Sequence, residues 1–167
     1  MSRLDSVIRR LQAQRECLDY AVGKVKPLTG VVLELGLGNG RTFDHLRTRM
    51  PERDIYAFDR QVAAHPSCIP DDGHLFLGEI KSTLKQAAER FSGQCVLIHS
   101  DIGTGVEEDN RRMAKYLGAA LQPFLKQGGI LISDQRIELA GAVPLPLPGG
   151  IEDNRYFLLK MTAEGLL

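Results

Sequence analysis

The chain has 167 residues, 43% hydrophobic and 25% charged, with 17 Gly and 8 Pro, the length and make-up of one globular domain with its own core. That excludes a disordered tail, a collagen-like fibre and a disulfide miniprotein. Its 21 Lys and Arg balance 21 Asp and Glu, so no net field draws it onto nucleic acid or anionic lipid.

Residues 2–25 carry Leu4, Val7, Ile8, Leu11, Leu18, Ala21, Val22 and Val25 at helical spacing, interrupted by Gln14 and Arg15. This amphipathic N-terminal helix, within residues 1–26, is charged from its third residue. It holds no apolar leader region. No run of the sequence approaches the roughly 18 apolar residues that span a bilayer, so the cytoplasm is the expected location. Cys17, Cys68 and Cys95 fit no CxxC pattern, and an odd count argues against a closed disulfide framework.

After the break at Pro27–Gly30, Val31–Leu35 is short, β-branched and bounded by glycines, as a buried parallel strand is. A turn at Gly36–Gly40 leads into a helix over 41–49, stopped before Pro51. Strands follow at 54–58, 75–77, 94–99 and 129–133, with helices over 79–91 and 107–126. The stretch 61–74, with its two prolines and Asp71-Asp72-Gly73, reads as loop. Two further runs, 142–147 and 155–161, flank Pro148-Gly149-Gly150 and suggest an antiparallel hairpin. Alternating strands and helices predict an α/β fold with a mostly parallel sheet. Ligands in such sheets bind outside the carboxyl ends of the strands, which points to the residues following positions 35, 58, 77, 99 and 133.

The first of these ends reads Glu34-Leu35-Gly36-Leu37-Gly38-Asn39-Gly40. Glycines permit a tight turn and close approach of a ligand, and the helix N-terminus behind them offers free N–H groups. The spacing is GxGxG rather than the dinucleotide GxGxxG, and Arg41 is bulky where that fingerprint places a third glycine. A nicotinamide-dependent reductase is therefore disfavoured. The run VVLELGLGNG resembles instead the first motif of the class I S-adenosylmethionine (SAM)-dependent methyltransferases, in which an acid stands just ahead of the glycine loop. The resemblance covers roughly residues 30–135 and the terminal hairpin, and its scope suits a small stand-alone member of bacterial type. It implies a Rossmann-like sheet, mostly parallel, with an antiparallel C-terminal hairpin strand. It also implies SAM as cofactor, with residues 30–135 as the cofactor-binding core and 142–161 as the hairpin of a single domain spanning 1–167.

Carried onto this sequence, the resemblance assigns Glu34, Gly36, Leu37, Gly38, Asn39 and Gly40 to the cofactor loop. It gives Asp59, 23 residues after Gly36, to the ribose hydroxyls, for which a carboxylate is the right acceptor. The other reading of Asp59 is a surface turn cap beside Arg60. Gly78, Glu79 and Ile80 fall where the family contacts adenine, although Glu79 also suits a helix N-terminus. Ser100, Asp101 and Ile102 fall at the methionine end and the incoming substrate. Asp101 there has three readings: holding the nucleophile, binding a metal or capping the next helix. His99 is either a base or a satisfied core histidine, so Asp101 and His99 are the two catalytic candidates. Glu34, Asp59, Glu79 and Asp101 are expected to converge on one mouth, which favours a sulfonium and an ammonium over a pyrophosphate.

Asp101, Asp134 and Gln135 also match the metal positions of Mg²⁺-dependent catechol-type O-methyltransferases, with Gln in place of Asn. Hard oxygen ligands suit Mg²⁺, but no metal is required for SAM binding. The DPPY and NPPF signatures and a Pro-Cys nucleophile are absent from the sequence, which disfavours methylation of nucleic-acid bases. The expected function is methyl transfer from SAM to a small-molecule acceptor. The alternatives are a SAM- or nucleoside-binding module without transfer activity, and the catechol-type enzyme. Helical cover is thin at 61–74 and 136–141, which predicts a homodimer in which the N-terminal helix or the stretch 141–150 covers the partner. The competing account has residues 2–25 covering their own sheet.

Overall fold

A computed structural model describes residues 2–163. The first helix, α1 (Arg3–Val25), starts at a capping box: Ser2 Oγ accepts from the Asp5 N–H at 3.0 Å, and Ser2 N–H donates to the Asp5 carboxylate at 3.0 Å. Next come β1 (Val31–Leu35), α2 (Arg41–Arg49), β2 (Ile55–Asp59), β3 (Leu75–Leu77), α3 (Ile80–Phe91) and β4 (Cys95–Ser100). The described residues close with α4 (Glu107–Leu121), β5 (Leu125–Ser133), β6 (Ala142–Pro144) and β7 (Phe157–Met161). The seven strands form one sheet in the order β3-β2-β1-β4-β5-β7-β6. The first five are parallel, and β7 runs antiparallel to both β5 and β6. This is the Rossmann-like sheet with an antiparallel hairpin strand that the sequence implied. Because the strand order reverses between β1 and β4, the crevice at their carboxyl ends is the place for a ligand.

Alternation along the strands divides the core in two. Val32, Leu97, Ile130 and Ile132 face one side, against Cys17, Leu18, Ala21 and Val25 of α1 and Phe43 and Leu46 of α2. Leu33, Leu35, Phe58, Ile98 and Leu131 face the other, against Leu84, Ala87 and Phe91 of α3 and Leu117 and Leu121 of α4. Burying each such side chain contributes roughly 1.5–3 kcal/mol, so both layers are needed. Arg53 ties α1 to β1: its guanidinium donates to the carbonyls of Gly30, Val25 and Lys26 at 3.1, 3.2 and 3.3 Å. Among the described residues no helix is long and apolar enough to cross a membrane.

Four expectations need correction. The helix expected over 107–126 ends at Leu121, and strand begins at Leu125. Pro123 is the reason, since its ring excludes the preceding turn of helix. The strand expected at 142–147 stops at Pro144, because Pro144, Pro146 and Pro148 have no N–H for a ladder. The strand expected to start at 155 starts at Phe157. Finally, no α-helix forms at 61–74 or 136–141, but the sheet is covered within the chain. α1 lies on its own sheet, Leu145, Leu147 and Ile151 pack on the same cluster, and Ile137 and Leu139 fill the opposite one. The second account of residues 2–25 holds.

Candidate functional site

At the carboxyl ends of the parallel strands lies a cavity of about 310 Å³. Gly36 and Gly38 line it after β1, Phe58, Asp59 and Arg60 at the end of β2, and Gly78, Glu79 and Ile80 after β3. Asp101–Thr104 after β4 and Met113 of α4 close the far side. Gly36 and Gly38 serve different ends. Gly36 has φ +92°, and a Cβ there would meet Ile102 Cγ2 at 2.6 Å and the Asp101 carbonyl at 2.8 Å, so it lets the β1 and β4 loops touch. Gly38 has φ +52°, and a Cβ there would meet nothing within 4 Å. It leaves open space. Asp59 is clamped at the rim: its Oδ2 accepts from the Gly38 N–H at 2.8 Å and its Oδ1 from the Arg60 N–H at 2.7 Å. It caps the turn beside Arg60, and it also lines the cavity.

Five of the residues assigned to the cofactor loop and its surroundings lie elsewhere. Leu37 is buried in the α1/α2 core because the left-handed glycines on either side turn its side chain inward. Asn39 accepts from the Arg41 N–H at 3.2 Å, and Gly40 packs on Cys68. Ser100 is buried between the strands. Glu34 is fully buried on the α2 side, accepting from Thr42 Oγ1 and, at 2.9 Å, from His99 Nδ1. Of the four acids expected at one mouth, Asp59, Glu79 and Asp101 line the cavity, and Glu34 sits beneath it.

His99 is fully buried too. Burial alone would lower its pKa, but the Glu34 carboxylate beside it, with Asp101 and Asp134 beyond, outweighs that and holds it above the usual histidine value. Its second nitrogen, Nε2, has no partner among the described residues. Asp101 accepts at Oδ2 from Gln14 Nε2 of α1 at 2.7 Å. Asp134 Oδ2 accepts from the Gly103 N–H at 3.2 Å and from Gln135 Nε2 at 3.1 Å. Burial pushes the Asp134 carboxyl up, and the neighbouring Asp101 adds to the rise. Tyr156, buried under α1, is likewise raised by burial and then by Asp101 and Asp134.

Asp101, Asp134 and Gln135 are thus neighbours, as the metal reading supposed. Both carboxylates are already engaged by amides, and Gln135 presents nitrogen to Asp134. Among the described residues no three His, Cys, Asp or Glu side chains gather into a metal-holding group. Sequence reasoning missed Gln14 and Tyr156. The signal for Gln14 was present: a polar residue on the apolar stripe of α1, 5% exposed between Ala13 and Cys17.

Residues 1–161 match the family model of the S-adenosyl-L-methionine methyltransferases. The chain belongs to that family. It is a SAM-dependent methyltransferase, and SAM is its cofactor. It is 42% identical to the S-adenosyl-L-methionine methyl transferase of Silicibacter pomeroyi DSS-3, over 96% of this chain and 98% of that one, with a TM-score of 0.90. The fold is shared more distantly with the fibrillarin/Nop5p complex (16% identity, 80% of this chain and 72% of that one, TM-score 0.54). It is shared also with the MycE methyltransferase of mycinamycin biosynthesis, solved with Mg and SAH (15% identity, 80% and 42%, TM-score 0.50). No curated protein sequence matches the chain.

Proposed function

We propose that the 310 Å³ cavity is the SAM site and that the methyltransferase acts on a small molecule approaching from the β4–β5 side. The observation that carries this is Asp59: a carboxylate fixed by Gly38 at the cavity rim offers acceptors to a ribose diol. Gly38 leaves room for the cofactor at the loop, Ile80 and Ile102 give apolar contact to a flat base, and Asp101 lies at the end given to the methionine. Bound there, SAM supplies an activated methyl group on a sulfonium. What remains for the protein is alignment, which in bound reactants removes roughly 7–11 kcal/mol of barrier. Glu34 fixes the His99 ring and Gln14 fixes Asp101, so both catalytic candidates are held in place. Calorimetric titration tests the site, with SAM expected to bind and NADH not. An NADH isotherm with no SAM isotherm overturns it.

The assembly proposed is a homodimer through the first turns of α1, where Leu4, Val7 and Ile8 remain 68%, 45% and 43% exposed at helical spacing. Sedimentation at micromolar concentration should give twice the chain mass, and a monomer mass discards the dimer.

A further inference from the structure

The buried side-chain atoms left without a partner among the described residues are His99 Nε2, Ser100 Oγ and Asp134 Oδ1. All three belong to the carboxyl ends of β4 and β5. Buried polar groups in native proteins nearly always find a partner. Strand alternation turns Ser100 to the α3/α4 face, away from His99, whereas Asp134 stands against Gly103 of the cavity wall, so Asp134 Oδ1 is the one of the three that points to a group from outside the chain.

Two carboxylates meet at that edge, and their charges act on each other, on His99 and on Tyr156. Asp101 lines the cavity, and its strongest partner is a neutral amide, Gln14 Nε2. Asp134 stands just behind Gly103 of the cavity wall, with Oδ1 buried and no donor directed at it. Among the described residues neither carboxylate forms an ion pair with Lys or Arg, and the His99–Glu34 pair cancels within itself. The edge therefore holds two acids and spare acceptor capacity, with neither acid paired to Lys or Arg and Arg10 acting on the neighbouring Tyr156.

We propose that the methyl acceptor is an amine that docks as its ammonium form between Asp101 and Asp134, taking the place of the Gln14 amide at Asp101 and donating to Asp134 Oδ1. This rests on the reading of the cavity as the SAM site and names the acceptor class for it. The Gln14–Asp101 bond has one ionised partner, whereas an ammonium makes a pair in which both partners are ionised and adds Coulomb attraction to the hydrogen bond, so an ammonium outcompetes Gln14 for Asp101. An alcohol or thiol leaves the excess charge uncompensated, and an anionic acceptor is repelled by it. One N–H bond must then break, its electron pair remaining on nitrogen and its proton joining Asp134 Oδ1. Burial and the Asp101 charge already favour the protonated form of that carboxyl.

The test compares three ligands by calorimetry: S-adenosylhomocysteine, SAM, and sinefungin, the SAM analogue with a primary amine on carbon in place of the methyl sulfonium. SAM and sinefungin both place positive charge near the transferred methyl, but only sinefungin brings N–H donors there. The wild type should bind sinefungin at least ten-fold tighter than SAM. Asp134→Asn should reduce that advantage to under three-fold, with Asp101→Asn reading the same ratio if the first variant does not fold. Equal affinity for sinefungin and SAM in the wild type, or an advantage that survives the substitution, overturns the amine. Failure of all three ligands to bind overturns the cofactor site itself, and the amine with it.

Discussion

The carboxyl edge of the sheet has two halves built on opposite plans. Over β1, β2 and β3 the surface is open and shaped by backbone: Gly36 lets two loops touch, Gly38 leaves open space, and Asp59 is held by N–H groups of nearby loops. Over β4 and β5 it is shaped by side chains, one of them from α1. There Gln14 reaches Asp101 across 87 residues of sequence, and His99 reaches Glu34 across 65. The difference shows where each part of the chemistry is specified. The half assigned to the cofactor is written in contiguous loops, and the half assigned to the acceptor in tertiary contacts.

The sharpest way to break this comparison is to remove a side chain from the second half. Replacing one member of a buried ion pair strands the other, at a cost of about 3–5 kcal/mol. His99→Ala should therefore destabilise the fold by that order in denaturant unfolding at pH 6, leaving Glu34 buried without its partner. His99 is held above its ordinary pKa of 6.5 in the folded chain. Its stabilising contribution is fully present below about pH 6.5 and is lost as pH rises through the folded value. The gap between wild type and variant should thus narrow toward alkaline pH. A gap constant from pH 6 to 10 contradicts a charged His99.

The same contrast explains what was legible in the sequence. The mostly parallel sheet with its antiparallel hairpin, the glycine loop and the place of Asp59 at a strand end follow from strand runs, turn residues and one motif, all short-range signals. The α4 boundary was missed because the apolar stripe continues through Phe124, while Pro123 decides the matter. Glu34 was misplaced because an acid one residue before the loop is equally able to face the mouth or α2. Strand alternation settles it, since Val32 and Glu34 share the face that α1 and α2 cover. Gln14 looked like an interruption of a helix stripe, and no local pattern says that its partner is Asp101.

In the open half a lost contact should affect binding and spare the fold. Asp59→Ala removes charge-assisted hydrogen bonds of about 1.5–3 kcal/mol. SAM affinity should fall roughly 10- to 150-fold, with the circular dichroism spectrum unchanged. Unaltered affinity removes Asp59 from the site. Gly38→Ala should be milder for the fold, costing about 1–2 kcal/mol for a left-handed residue with a Cβ. The added methyl points into open cavity and should still weaken SAM binding measurably. Normal affinity there means the loop does not surround the ligand.

The smallest effect expected is a gain, in the half given to the acceptor. Asp134 is held above its ordinary pKa of 3.8, first by burial and then by Asp101. A carboxyl raised on folding makes the native state prefer the protonated form. Stability is then full below the unfolded pKa and declines as pH rises through the folded one. At pH 7 the wild type bears that loss, and Asp134→Asn, which cannot ionise, does not. Relieving strain of this kind at a functional site commonly gains roughly 0.5–2 kcal/mol, and the lower end is expected because Gly103 and Gln135 already favour the charged form. Denaturant unfolding should show the variant more stable than wild type at pH 7 and equal to it at pH 3. A variant less stable at pH 7 means that Asp134 is held for the fold, which would move the functional acids of this edge to Asp101 alone.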